Sequence, residues 1–249
     1  MPRIKDQAIC IRHIDWSETS QVVVLLTQAH GKLRGLAKGS KRQSPSSVER
    51  FSGGIELLTM GQVVAVTKST AELATLTEWD LQNDYHHLRN NFRGQRLAMY
   101  AADLSNAMLA DEDAHPGAFA AVSDFLAALS DEADHPGALL RFQWELLQDC
   151  GYRPELERDV RLGDALGQSK AYTFDPVAGG LTVENGIADW RVRKQTVTLL
   201  RQLANGEAIE DADADSVDRA NRLLCVYARA ILDKELPTMR SVLEVGSRK

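Results

Sequence analysis

His30-Gly-Lys-Leu-Arg-Gly-Leu-Ala-Lys-Gly-Ser-Lys-Arg42 carries five cations, Lys32, Arg34, Lys38, Lys41 and Arg42, and no acid. The whole chain is formally −6, so this cluster runs against its background. Leu33, Gly35 and Ala37 alternate with Lys32, Arg34, Leu36 and Lys38. A period of two sends successive side chains to opposite faces of a strand. Lys32, Arg34 and Lys38 then share one face, with Leu36 among them. Gly31 and Gly39 permit the turns into and out of the strand. The expected object is a short basic strand running into a basic loop, and its natural partner is a polyanion. A merely solvated surface strand is the alternative that the local sequence leaves open.

The flanking sequence sets this strand among others. Gln7 to His13 reads as a strand with Ile9 and Ile11 on one face and Ala8 and Cys10 on the other. Gln21 to Thr27 is apolar on both faces and reads as a central strand. Between them, Asp15 to Ser20 is a polar turn. Gln43 to Ser47, with Pro45, reads as a loop. Gly54 to Leu58 and Gln62 to Lys68 read as two further strands around the turn Thr59-Met60-Gly61. About five strands in under ~75 residues, with no long helix between them, predict a small antiparallel barrel. The five-stranded OB barrel is the first choice and an SH3-type barrel the alternative.

From Leu81 the period changes. Leu88, Phe92, Leu97, Tyr100, Ala101, Leu104 and Met108 recur at three-and-four spacing, which predicts a long amphipathic helix. Ala118 to Leu129 and Ala138 to Cys150 follow as helices. Each is preceded by a similar acidic His-Pro-Gly-Ala phrase, which suits a helix start. Residues 158–186 are Gly-rich and extended, with a hairpin predicted from Tyr172-Thr-Phe-Asp175 and Leu181-Thr-Val183. Helices resume at Trp190 to Leu203 and Val217 to Leu236, and Met239 to Val245 forms a short last one. The predicted class is α+β: a barrel domain over residues 1–80, then a mostly helical domain over 81–249 with an extended insertion at about 158–186.

Composition narrows the function. Between Met1 and Arg50 stand nine Lys/Arg (Arg3, Lys5, Arg12, Lys32, Arg34, Lys38, Lys41, Arg42, Arg50) against four acids (Asp6, Asp15, Glu18, Glu49). A basic module joined to an acidic body is the result. The three cysteines, Cys10, Cys150 and Cys225, form no CxxC pair. Neither a disulfide framework nor a thiolate zinc site is supported, and buried thiols in a reducing cytoplasm are expected. No apolar run approaches ~18 residues, so no membrane span is expected.

No catalytic constellation emerges. His86 and His87 are adjacent on a helix and face different ways. Ser17 lacks a nucleophile elbow, and no GxxxxGK[ST] loop or post-strand GxGxxG occurs. The chain is expected not to be an enzyme and to need no cofactor or metal. The basic cluster carries the chemistry, with Lys32, Arg34, Lys38, Lys41 and Arg42 as first candidates for phosphate contact. Arg12, Arg50 and Lys68 flank them. Trp16, Phe51 and Trp79 are the aromatic residues of the first module, with core packing as their default role. A barrel that binds protein partners as an interaction scaffold, or one that binds RNA, is the competing function.

Several phrases resemble the RecO family of bacterial recombination mediators. Ala8-Ile-Cys-Ile11 followed by Trp16-Ser-Glu-Thr-Ser20 is similar to that family's first strand and turn. Thr27 to Lys32 resembles its Thr-x-x-x-Gly-Lys/Arg segment, and Ala37-Lys-Gly-Ser-Lys-Arg42 its basic loop. Arg141-Phe142, Leu146-Leu147 and Gly151-Tyr-Arg-Pro154 are similar to a later segment, and Met239 to Leu243 to its end. The resemblance implies an OB domain followed by a helical domain. It implies binding of single- and double-stranded DNA, annealing of complementary strands, and recombinase loading onto strands coated by single-strand-binding protein. The implied partners are RecR and single-strand-binding protein, and the implied location is the cytoplasm at the nucleoid. Many members carry a four-cysteine zinc ribbon, whose positions would fall near Asp159, Leu162, Val183 and Gly186. None of these is Cys. A zinc-ribbon-like insertion without metal ligands is therefore expected, held by packing of Tyr172, Phe174 and Leu181.

Overall fold

The computed structural model describes residues 3–67, 71–167, 169, 171–183, 190–209 and 211–243. They divide into two compact units, Met1–Ser130 and Asp131–Lys249.

The first unit begins with an antiparallel meander of β1 (Arg3–Asp15), β2 (Gln21–Thr27) and β3 (Gly31–Ala37). β4 (Met60–Val66) pairs with β1 and with β5 (Ala74–Asn83), and β5 runs parallel to β3 at Gly35–Ala37. Every strand thus has two neighbours, and the five close into a barrel in the order β1-β2-β3-β5-β4. Its interior holds Ala8, Cys10, Val23, Leu25, Leu33, Ala37, Val63, Ala65, Ala74, Leu76 and Trp79. Phe51 and Ile55 join this cluster from α1 (Pro45–Phe51) and the loop after it. Four alanines make room for Trp79, the small-against-large alternation that fills a narrow barrel. Each large side chain fully buried here contributes about 1.5–3 kcal/mol relative to exposure. Gly61 belongs to the same fit, because a Cβ there would lie 2.8 Å from the Trp79 ring.

Three expectations are corrected. Gly54–Leu58 is not a strand: positive φ at Gly53, Gly54 and Leu58 bends the chain out of extended geometry. The segment expected as a loop at Gln43–Ser47 instead enters α1, with Pro45 in its first turn. The fifth strand is β5. Its core residues Ala74, Leu76 and Trp79 are spaced two and then three apart, because a bulge opposite Val64/Ala65 inserts one residue. That break hides the period-two signal.

A 3-10 turn (His86–Asn90) leads to α2 (Phe92–Met108) and α3 (Pro116–Ala128). α2 packs on β1, and α3 on β2 and α2. They cover the outward side chains Ile9 and Leu26, both fully buried yet outside the barrel interior.

The second unit packs α4 (His135–Asp149) against α6 (Ala214–Leu232), and α5 (Lys194–Ala204) against α6. Buried Gln143 donates to the Asn221 Oδ1 at 2.8 Å, which satisfies two polar groups inside the α4–α6 contact. β6 (Ala171–Asp175), β7 (Gly180–Thr182) and β8 (Trp190–Arg193) form an antiparallel sheet in the order β7-β6-β8. The helix expected from Trp190 therefore starts only at Lys194. A second 3-10 turn (Pro237–Met239) and α7 (Arg240–Leu243) follow α6. Phe174 and Leu181 are fully buried and Tyr172 nearly so. Phe174 stacks on Trp190 at 5.8 Å and meets Tyr227 edge-on at 5.1 Å.

One polar tie in this sheet was not visible in the sequence. The buried Asp159 carboxylate accepts from the Arg161 and Leu162 N–H groups at 2.8 and 3.0 Å. Its other oxygen accepts from the Val183 N–H at 2.7 Å and the Thr182 hydroxyl at 3.1 Å. Burial opposes ionisation, but these four donors prevail and hold its pKa at about 2.

Candidate nucleic-acid interface

Cross-strand register assembles the face built around the basic strand. Arg12, Val24 and Arg34 stand in one row across β1, β2 and β3, and Ile14, Val22 and Leu36 in the next. The residues opposite one another in an antiparallel pair project to the same side. Val23 and Leu25 point into the barrel, so Val22 and Val24 point out, and with them the two rows. Arg12 and Arg34 are exposed, Ile14 is 52% exposed, and Val22 and Leu36 are half-buried. Lys38 continues the outward alternation after β3 and is exposed. An apolar row is thus bordered by cations on both sides.

Arg12 is there because of a bulge. β1 slips register between Cys10 and Arg12, and Ile11 is the extra residue. Before it, Ala8 and Cys10 face the interior; after it, the even-numbered Arg12 and Ile14 face outward. A bulge that re-aims a side chain is a known device near functional surfaces. The uniform alternation expected for Gln7–His13 is corrected accordingly.

The basic loop is fixed against the β1–β2 turn. Lys41 N–H donates to the Thr19 carbonyl at 3.1 Å, and its ammonium meets Asp15 at 2.7 Å. That hydrogen bond holds the Asp15 carboxyl below its ordinary pKa. Gly39 N–H donates to Ser20 Oγ at 3.1 Å, and Ser47 Oγ donates to the Gly39 carbonyl at 2.5 Å. Buried Gln21 completes the anchor. Its Oε1 accepts from Ser40 Oγ at 3.0 Å and the Ile55 N–H at 3.1 Å, while its Nε2 donates to the Ile55 carbonyl at 3.1 Å. Gly39 adopts φ +74°, the left-handed turn the sequence anticipates.

Lys32 is a correction. It is only 8% exposed, because α2 ends over the start of β3. Its ammonium donates to the Asn106 and Leu109 carbonyls at 2.9 and 2.8 Å and meets Asp111 at 3.1 Å. A cation at a helix C-terminus satisfies carbonyls that lack intrahelical partners. Lys32 is a helix cap and not a solvent-facing charge. Arg34 is exposed, with Asp111 3.8 Å from its Nε. Arg50 is exposed on α1, outside the two rows, with its Nε on the Ser46 carbonyl. Arg42 is exposed beside Gly39, and Lys68 lies outside the described residues.

Of the three aromatic candidates, Phe51 and Trp79 are core residues, each 1% exposed. Trp16 is 69% exposed, in the turn that the basic loop is tied to. The second unit carries a separate groove of about 440 Å³. Val192, Leu223 and Val226 contribute its apolar lining, and Arg191, Arg193, Arg219 and Arg222 its charge. Arg219 pairs with Asp213 and Asp215, and Arg222 with Asp218.

Among the described residues no cluster of three or more His, Cys, Asp or Glu side chains could hold a metal ion. Cys10 and Cys150 are free thiols, and burial raises Cys10 to about 12 and Cys150 to about 11. No described helix is long and apolar enough to cross a membrane.

Comparison with known proteins covers nearly the whole chain. The family model described as Recombination protein O N terminal matches residues 1–85, and that described as Recombination protein O C terminal matches 89–240. A protein of Myxococcus xanthus named DNA repair protein RecO is 26% identical over 99% of both chains. One of that name from Anaeromyxobacter dehalogenans (strain 2CP-C) is 29% identical, over 99% of this chain and 98% of its own. A third, from Symbiobacterium thermophilum, is 27% identical over 94% and 96%.

Proposed function

The chain belongs to the RecO family of DNA repair proteins, and on that premise we propose that it is a recombination mediator acting by binding rather than catalysis. Its first module is an OB-type barrel that binds single- and double-stranded DNA. The observation that carries this is the open face of β1, β2 and β3, where Ile14, Val22 and Leu36 lie between Arg12, Arg34 and Lys38. Lys41 and Arg42 extend it through the anchored loop. Lys32 and Arg50 are left out of the contact set.

Annealing follows from the chemistry. Cations that neutralise phosphates on two strands lower their mutual repulsion, and phosphate contacts leave base edges free to pair. Recombinase loading onto strands coated by single-strand-binding protein would use protein partners, of which RecR and single-strand-binding protein are the two we propose. The arginine-lined groove of the second unit suits a partner segment with acidic and apolar side chains. We also propose that the DNA-binding module ends near residue 80, that the insertion is a zinc-ribbon relative without its ligands, and that the protein works at the nucleoid.

The test is fluorescence anisotropy with labelled single-stranded DNA, duplex and RNA across a salt series, joined to a strand-annealing assay. Reversing Lys38, Lys41 and Arg42 to Glu together should weaken DNA binding and lower the salt slope by about one per lost contact. Unchanged affinity and slope would sink the assignment. A stronger response with RNA than with DNA would favour the RNA-binding alternative.

A further inference from the structure

We infer that Trp16 is a base-stacking residue that makes this face select single strands over duplex, and that pairing of the bases releases the annealed product. The inference rests on the proposed DNA-binding face. It starts from an exposure that core packing does not explain. Trp16 is 69% exposed, whereas Trp79 and Trp144 are 1% and 3% exposed. An indole left in water forfeits the stabilisation that burial of its large apolar surface would bring.

Its position is held by the same bonds that hold the cations. Trp16 N–H donates to the Ser20 carbonyl at 3.0 Å, which closes the turn. Thr19 and Ser20 of that turn accept from the Lys41 and Gly39 N–H groups. The indole therefore sits in a turn tied directly to the loop bearing Lys38, Lys41 and Arg42. Two residues before it, Ile14 starts the apolar row that runs through Val22 to Leu36.

Cations alone give no preference for single strands, because both forms present phosphates and duplex presents them more densely. Apolar and aromatic side chains do. A single strand can turn its bases onto them, and base–aromatic stacking tolerates any sequence. A duplex keeps its bases stacked inside and offers this row nothing. Complementary strands bound through Trp16 thus lose that contact when they pair, while their phosphate contacts remain. The duplex is held by charge alone and leaves more readily.

Trp16→Ala and Trp16→Phe in the full chain test this, with oligothymidine and a duplex of equal length as probes. Alanine should weaken oligothymidine binding about 5- to 100-fold and leave duplex affinity within about twofold. Phe should retain most of the single-strand affinity. It should also abolish most of the tryptophan fluorescence quenching that oligothymidine produces in the unsubstituted protein. Equal loss on both probes, or unchanged oligothymidine affinity in the alanine variant, overturns the inference. The triple charge reversal separates this from the underlying reading. If that variant loses DNA while Trp16→Ala does not, the face binds DNA without stacking. If neither variant loses DNA, the face itself is wrongly assigned.

Discussion

Replacing Asp159 by Asn removes one negative charge from a site that four donors address. The isosteric amide keeps one oxygen but turns NH2 toward either the Arg161 and Leu162 N–H groups or the Val183 N–H and Thr182 hydroxyl. Facing Arg161 and Leu162 the amide loses two of the four hydrogen bonds; facing Val183 and Thr182 it loses that of the Val183 N–H, while the Thr182 hydroxyl can turn to accept from the NH2. Hydrogen bonds to a charged group contribute about 1.5–3 kcal/mol each, and stranded donors beside the surface regain water. A cost of about 1.5–3 kcal/mol follows, felt in the sheet of β6, β7 and β8. The titration gives an independent figure. A carboxyl held at about 2 against an ordinary 3.8 contributes up to about 2 kcal/mol, and screening near the surface trims this to about 1–2. The sign is that of a depressed acid: the contribution is complete above pH 4 and fades as pH falls toward 2. Urea unfolding at pH 7 and pH 3, followed by Trp190 fluorescence in a protein whose other tryptophans are Phe, would measure it. The variant should lose stability at pH 7 and lose less of it on acidification. An Asn variant as stable as the parent at pH 7 would refute the role of this carboxylate.

Three further outcomes are expected. Lys32→Met should cost about 1–3 kcal/mol in thermal or urea unfolding, because it leaves the Asn106 and Leu109 carbonyls uncapped, while the solvent-facing Asp111 loses only its closest cation; at temperatures where it stays folded, its DNA affinity should match the parent. Gly31→Ala should destabilise by more than about 1 kcal/mol in the same assay, since Gly31 has φ +71° and a Cβ there would meet the Asp113 backbone. Gln21→Leu should cost about 2–3 kcal/mol by stranding the Ile55 N–H and carbonyl and the Ser40 hydroxyl, and hydrogen exchange should show faster opening of the loop at Gly39 and Ser40.

The barrel was legible where a strand kept one phase. Gln21–Thr27, apolar on both faces, is a central strand as expected, and Gly31–Ala37 forms the strand that its period of two predicts. It was not legible at β5, where a bulge mixes two phases, or at Gly54–Leu58, where apolar residues sit on backbone that no strand can use. Charge was read well as a cluster and poorly as individual side chains. Arg34 and Lys38 project as the alternation says, but a helix more than sixty residues later in the chain covers Lys32. No local pattern contains that contact. Asp159 failed for the opposite reason. One acid among Glu155, Glu157 and Asp164 carries no distinguishing signal until Val183 is brought beside it.

Ile11 also sets how this protein can change over generations. One surplus residue divides β1 into a segment whose outward Ile9 answers to the helices and a segment whose outward Arg12 and Ile14 answer to solvent. Each segment can drift in sequence without consulting the other. Loss of Ile11 itself would merge them into one regular strand, because Cys10 opposite Leu25 and Arg12 opposite Val24 would become consecutive pairs and Arg12 and Ile14 would keep their outward phase; a residue lost from the strand after the bulge would instead move its neighbours to the other face. A deletion at the bulge is therefore better tolerated than one just after it. Relatives that have gained or lost a residue in the second half of this strand are the ones in which the ligand-facing surface should be expected to differ.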